Sequence, residues 1–333
     1  MTLYRPFVFC AAVLTFLVIV VGAYVRLEDA GLGCPDWPGC YGQIIGVPDE
    51  AHEVARAERA FPGRTVDAGR ARKEMFHRYL AGMLGLLVAA IAAIAWRWRA
   101  VIGRPPWLAT ALVALVAFQA TLGMWTVTML LKPAIVTLHL LGGMSTLALL
   151  VWLALREIDP RPAPADMARR MRPWAAAGLA VLAAQIVLGG WVSANYAALA
   201  CVDFPVCHGK WLPDMDFGHA FHVVRELGVT AAGAPLSQEA LNAIQWSHRA
   251  WALVTVAYLG MLALWAMRMP ALRPVGALLL ALLVLQAGLG AANVLMRLPL
   301  ALAAAHNAGA ALLLAALVVL NFTVFKRAPA IKK

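Results

Sequence analysis

Eight stretches of this chain, roughly 7–25, 75–96, 107–129, 134–155, 174–194, 246–267, 272–295 and 299–325, are long and apolar enough to cross a bilayer as helices. A helix needs about 20 mostly apolar residues to span the hydrocarbon core. The runs are continuously apolar rather than alternating, which excludes a β-barrel. Composition agrees: 62% of the residues are apolar and 14% charged, against about half and a quarter in soluble domains. A soluble enzyme, a secreted module and a disordered chain are excluded. The net charge of +11 reads as membrane topology rather than nucleic-acid binding, because cytoplasmic loops collect Lys and Arg. The first span has a basic start like a signal peptide, but it lacks a small-x-small cleavage site and reads as retained.

Placing both termini in the cytoplasm gathers Arg5, Arg97, Arg99, Arg104, Arg156, Arg161, Arg169, Arg170, Arg172, Arg268, Arg273, Lys326, Arg327, Lys332 and Lys333 on the inner side. Only Glu157, Asp159 and Asp166 oppose them there. This is the multi-pass arrangement expected of a bacterial-type inner membrane protein. Two long outer loops remain, about 26–73 and 195–245, and Glu50–Arg59 predicts a short surface helix.

Sliding the chain by 167 residues superimposes its halves. Gly22 meets Gly189, Cys34 meets Cys201, Asp36 meets Asp203, Pro38 meets Pro205 and Cys40 meets Cys207. Farther on, Gln119 meets Gln286, Gly123 meets Gly290 and His139 meets His306. The His-Arg pairs at 77–78 and 248–249 align at 171, an insertion of four residues that is later removed. Ordered matches of Cys, His, Gln and Pro exceed chance apolar similarity. The predicted fold is therefore all-α and integral to the membrane, with eight helices as two tandem four-helix bundles related by internal duplication. Residues 1–156 form the first half, 157–172 a Pro- and Arg-rich cytoplasmic linker, and 173–333 the second half.

Four histidines, His77, His139, His248 and His306, fall inside or at the edge of spans, near the outer ends of the second and fourth spans of each half. Ionisable residues inside a membrane are usually functional. One such His is as often a packing residue, but four at equivalent places suit bis-imidazole heme ligation in four-helix bundles. Gly142 and Gly309 follow a turn after His139 and His306, where space beside a porphyrin would be needed. Arg78 and Arg249 follow their histidines and either pair with heme propionates or snorkel to water. Zinc or copper is the weaker reading, since no span carries a His pair at i and i+4. A proton path would run through the bilayer depth, whereas these imidazoles share one layer.

The halves differ at one place: Glu74 precedes His77 by three residues, and Gln245 precedes His248 likewise. A carboxylate beside one site alone points to chemistry there and electron carriage in the other half. The plain alternative is an i,i+4 pair of Glu74 with Arg78. Cys10 is a small apolar filler. The other cysteines form two Cys-x5-Cys loops outside the membrane. Four thiols could hold one zinc, but an oxidising compartment and local spacing favour two disulfides. His52, His208, His219 and His222 read as loop histidines.

Together these residues resemble the heme A synthase family of membrane proteins. The resemblance runs through GLGCPDWPGCYG at 31–42, KEMFHR at 73–78, VTLHLLGG at 136–143, GGWVSANYAALACVDFPVC at 189–207, QWSHRAW at 245–251 and AAHNAG at 304–309. It implies oxidation of a ring methyl of heme O to the formyl of heme A, for assembly of a heme-copper terminal oxidase. It implies substrate heme on His77 and His139 beside a catalytic Glu74, and resident heme b on His248 and His306. It also implies the disulfides Cys34–Cys40 and Cys201–Cys207. Implied partners are the farnesyltransferase that makes heme O, the oxidase under assembly, an electron acceptor of unknown identity and, in some assemblies, a second copy of the chain. Glu28 and Asp29 depart from the small hydroxyl residues expected at the first outer loop. A diheme b-type electron carrier and a heme transporter are the competing functions. The carrier would need the same four histidines but offers no reason for Glu74 to differ from Gln245.

Overall fold

A computed structural model of the chain describes residues 3–160 and 162–326. Arg161, Arg327, Lys332 and Lys333, counted above among the inner cations, lie outside the described residues. Eleven α-helices run in the order α1 Tyr4–Leu27, α2 Ala51–Ala60, α3 Ala68–Arg97, α4 Arg99–Ile102, α5 Trp107–Thr128, α6 Pro133–Ile158, α7 Ala165–Ala194, α8 Phe217–Ala220, α9 Gln238–Met267, α10 Arg273–Leu295 and α11 Leu300–Phe325. Among the described residues there are isolated bridges but no strand. Eight of the helices are long and apolar enough to cross a membrane. The chain is a multi-pass membrane protein, with α2 as the short surface helix expected near Glu50–Arg59.

Three spans start well before their apolar runs, with polar first turns that are side-chain capped in two of them. Asp67 accepts a hydrogen bond from the Arg70 amide at the start of α3. Ser237 accepts from the Ala240 amide at the start of α9. Such caps satisfy amides that have no partner within the helix. Helix α7 also starts early, at Ala165, and carries Pro173 within it.

The spans close into two rings. Helix α1 packs on α3 and α6, and α5 completes the ring between them; α7 packs on α9 and α11, with α10 completing the second ring. The rings meet where α11 lies against α1 and α6, and α6 against α7. That pattern, α1 on α11 matched by α7 on α6, is consistent with a duplicated unit placed about a two-fold axis along the membrane normal. Leu112, Leu150 and Ile91 are buried inside the first ring. Leu259, Leu279 and Leu317 are buried inside the second. With lipid outside and no hydrophobic drive between helices, close packing of this kind holds a bundle together.

Both long loops lie at the same end of the bundle and touch. The Arg26 guanidinium donates to the Ser193 carbonyl at 2.8 Å. The Tyr196 hydroxyl donates to Asp29 at 2.7 Å. Lys132, in the tight turn between α5 and α6, pairs with Glu226 at 2.8 Å. The departure at Glu28 and Asp29 has a structural use: Glu28 pairs with Lys73, and Asp29 receives the second half's Tyr196.

Candidate heme sites at the loop end of the bundle

His77 on α3 and His139 on α6 belong to the first ring; His248 on α9 and His306 on α11 belong to the second. In each ring the two histidines sit on helices that share the same neighbours, α1 and α5 in the first ring and α7 and α10 in the second. Every one of them is packed against a glycine of the next helix. A Cβ added to Gly22 would stand 2.8 Å from His77 Cε1, and one added to Gly189 would stand 3.0 Å from His248 Cε1. The same addition at Gly123 would lie 3.4 Å from His139, and at Gly290 3.1 Å from His306. These four glycines, matched pairwise in the repeat, are the space-makers that the reading above did not single out. Their signal was their place in the repeat. The expectation for Gly142 and Gly309 is corrected: the Gln119 side chain packs against Gly142, and the Gln286 side chain against Gly309.

The imidazole nitrogens show what such a site lacks. Nδ1 of His77, His139 and His306 is buried without a hydrogen-bond partner. Buried polar groups in native folds are nearly always paired, so these unpartnered Nδ1 atoms fit a ligand role for the rings; on His306 the other nitrogen, Nε2, lies 3.4 Å from the Gln286 amide nitrogen. His248 differs, because the Gln185 amide nitrogen lies 3.1 Å from its Nδ1. Sliding back by 167 puts Val18 at that place in the first half. The donor set fits two bis-imidazole hemes, one per ring.

The two cysteine loops fold alike from the same residues. Cys34 is bonded to Cys40 and Cys201 to Cys207, which removes the zinc alternative for these thiols. Asp36 accepts from the amides of Tyr41 at 2.6 Å and Gly42 at 2.8 Å. Asp203 accepts from those of His208 at 2.8 Å and Gly209 at 2.7 Å. Tyr41 and His208 have positive φ, +50° and +52°, a conformation that the aspartate bonds help to hold. The Gly209 amide is the main cause holding the Asp203 carboxyl below the ordinary carboxylate range.

Arg78 and Arg249 tie these loops to the histidine helices. Arg78 donates to the carbonyl of Asp36 at 2.9 Å and to that of Gly39. Arg249 donates to the carbonyls of Asp203 at 2.8 Å, Val206 at 2.9 Å and Cys201 at 2.6 Å. Each guanidinium thus gathers the carbonyls of a turn that would otherwise lack donors, one residue after a heme-ligand candidate.

Glu74 is 4% exposed. Its Oε1 accepts from Arg78 at 2.5 Å and its Oε2 from the Cys34 amide at 2.9 Å. The i,i+4 pair raised as the plain alternative is therefore present, but buried rather than on a rim. Gln245, also 4% exposed, instead donates to the Ala198 carbonyl at 3.1 Å. The two halves thus present opposite hydrogen-bonding characters to their loops, an acceptor in the first and a donor in the second.

Comparison with known proteins agrees with this arrangement. The family model described as cytochrome oxidase assembly protein matches residues 5–318. The protein from Shewanella oneidensis called heme A synthase is 44% identical over 95% of this chain and 94% of its own length. Proteins of the same name from a Caulobacter species and from Rhizorhabdus wittichii are each 30% identical, over 92% of this chain and over 92% and 89% of their own lengths. With eight membrane helices, a matched histidine pair in each ring and a match along nearly its full length, the chain belongs to the cytochrome oxidase assembly protein family to which the heme A synthases belong.

Proposed function

We propose that this chain is the heme A synthase of its membrane: an oxidoreductase that converts the ring methyl of heme O to the formyl group of heme A for cytochrome oxidase assembly. His77 and His139 hold the substrate heme O, and His248 and His306 hold a resident heme b. The observation that carries this reading is the two matched histidine pairs, each imidazole against a glycine, with three Nδ1 atoms buried and unpartnered. When bound, the resident heme supplies a one-electron relay. Arg78 and Arg249, each one residue after a ligand histidine, fix the cysteine loops and would offer positive charge to heme propionates. Glu74, held by two donors one turn before His77, keeps a carboxylate beside the substrate site alone. Such a group accepts protons as a methyl is oxidised, or stabilises positive charge that develops there.

The halves 1–156 and 173–333, joined by 157–172, are assigned as substrate and electron-relay units. Both termini are placed in the cytoplasm and both heme sites toward the outer face, on the strength of the cation-rich short loops. Heme O arrives from the farnesyltransferase that makes it, and electrons leave to an acceptor still to be identified. Pigment extraction after co-expression with a heme O supply tests the reading. Accumulation of heme A supports it; a redox-active b heme with unaltered heme O would instead make the chain an electron carrier.

A further inference from the structure

At the end of the bundle opposite the cysteine loops, a cavity of about 250 Å³ opens between the C-terminal ends of α6 and α11 and the residues leading into α5. Its lining combines the cations Arg104, Arg156 and Lys326 and the anion Asp159 with the aromatic Trp152, Phe322 and Phe325. The internal ion pairs leave one charge over. Lys326 holds Asp159 at 2.7 Å and also the Pro160 carbonyl. Arg104 pairs with Glu157 at 3.3 Å and donates to the Arg156 carbonyl. The half-buried Arg156 guanidinium has no hydrogen-bond or ion-pair partner among the described residues.

We propose that this cavity binds the phosphodiester headgroup of an anionic phospholipid. Arg156 takes the phosphate, with Arg104 and Lys326 beside it. Trp152, packed edge-on against Phe322 at 5.0 Å, and Phe325, 44% exposed, receive the start of the acyl chains. Basic pockets between membrane helices are a recurring way to hold anionic headgroups. The aromatic lining is what a soluble phosphate would leave unused. The histidines lie next to Arg78 and Arg249, which hold the cysteine loops at the other end of the bundle, so this site is separate from the heme sites. Because the cavity joins α6 of the first ring to α11 of the second, a lipid here would bridge the two halves at the face where no cysteine loop does so.

The test is native mass spectrometry of the detergent-solubilised full chain mixed with equal amounts of phosphatidylglycerol and phosphatidylcholine. The expected result is preferential phosphatidylglycerol adducts. Arg156→Gln should weaken them about tenfold, the loss of one charge-assisted contact, and Arg156→Lys should restore most of the binding. Equal retention of the two lipids by the unmodified chain overturns the proposal. Inorganic phosphate that displaces phosphatidylglycerol overturns it too, by making this a soluble-anion site. If Arg156→Gln does not accumulate, the lipid preference of the unmodified chain and the phosphate competition still decide.

Discussion

The Cys34 amide donates to Glu74 Oε2 at 2.9 Å, so the carboxylate one turn before His77 is fastened to the disulfide loop above it. One bond ties the carboxylate, the helix that carries His77 and the disulfide loop together. Two roles for Glu74 follow, loop anchor and proton acceptor, and they separate by substitution.

Glu74→Gln keeps an oxygen acceptor for Cys34 or Arg78 and copies the residue the second half uses at 245. The variant should accumulate and retain its b-type heme. Heme A formation should nonetheless fall strongly, with heme O or a partly oxidised product left in the extract. Normal heme A in extracted pigments would leave Glu74 as an anchor only.

The glycine cradles give a prediction that reads the halves separately. A methyl at Gly22 would overlap His77, and one at Gly189 would touch His248 at 3.0 Å, so each ring must shift. Gly22→Ala should lower heme A formation while the b-heme spectrum stays. Gly189→Ala should change or abolish that low-spin spectrum, as His248→Ala and His306→Ala should. Identical spectra for the two glycine variants would refute the assignment of heme b to the second half.

Most of this architecture was legible in the sequence, because a bilayer imposes length and apolarity directly on each helix. The spans, the repeat and the four histidines follow from that constraint and from residue types that rarely match by chance. Helix ends were less legible, since the polar first turns of α3 and α9 depend on caps at Asp67 and Ser237 rather than on hydropathy. The space-making glycines were misplaced by one helix. Same-helix spacing pointed to Gly142 and Gly309, whereas contact across the bundle picks out Gly22, Gly123, Gly189 and Gly290. Gln185 was missed altogether, because it has no counterpart in the repeat and only packing brings it to His248.

The second cysteine loop should loosen in acid. Asp203 is held below the ordinary carboxylate range mainly by the Gly209 amide. A depressed native pKa means that its contribution is present above the unfolded value of about 4 and is lost as pH falls below it. Exchange of the His208 and Gly209 amide protons should be slow at pH 5, once corrected for intrinsic rates, and lose protection as pH falls through the lowered native pKa of Asp203. Asp203→Ala should show the unprotected pattern already at pH 5. Equal protection in the variant at pH 5 would show that the disulfide alone holds the turn.

The seam between the halves at the loop end rests on Arg26, Asp29 and Tyr196. The Arg26 guanidinium carbon lies 3.9 Å from the Tyr196 ring centroid, its nitrogen donates to the Ser193 carbonyl, and the Tyr196 hydroxyl donates to Asp29. Tyr196→Phe removes only the bond to Asp29 and should destabilise by about 0.5–1 kcal/mol. Tyr196→Ala also removes the ring beneath the cation, for a total of about 1–2 kcal/mol. Because Asp29 sits at the end of α1 and Tyr196 at the end of α7, the loss should appear first as freer movement between the rings. Spin labels placed on the two loops should therefore report a broader distance distribution for Tyr196→Ala, with Tyr196→Phe intermediate. A distribution as narrow as in the unmodified chain would mean that packing among α1, α6, α7 and α11 fixes the halves without this contact.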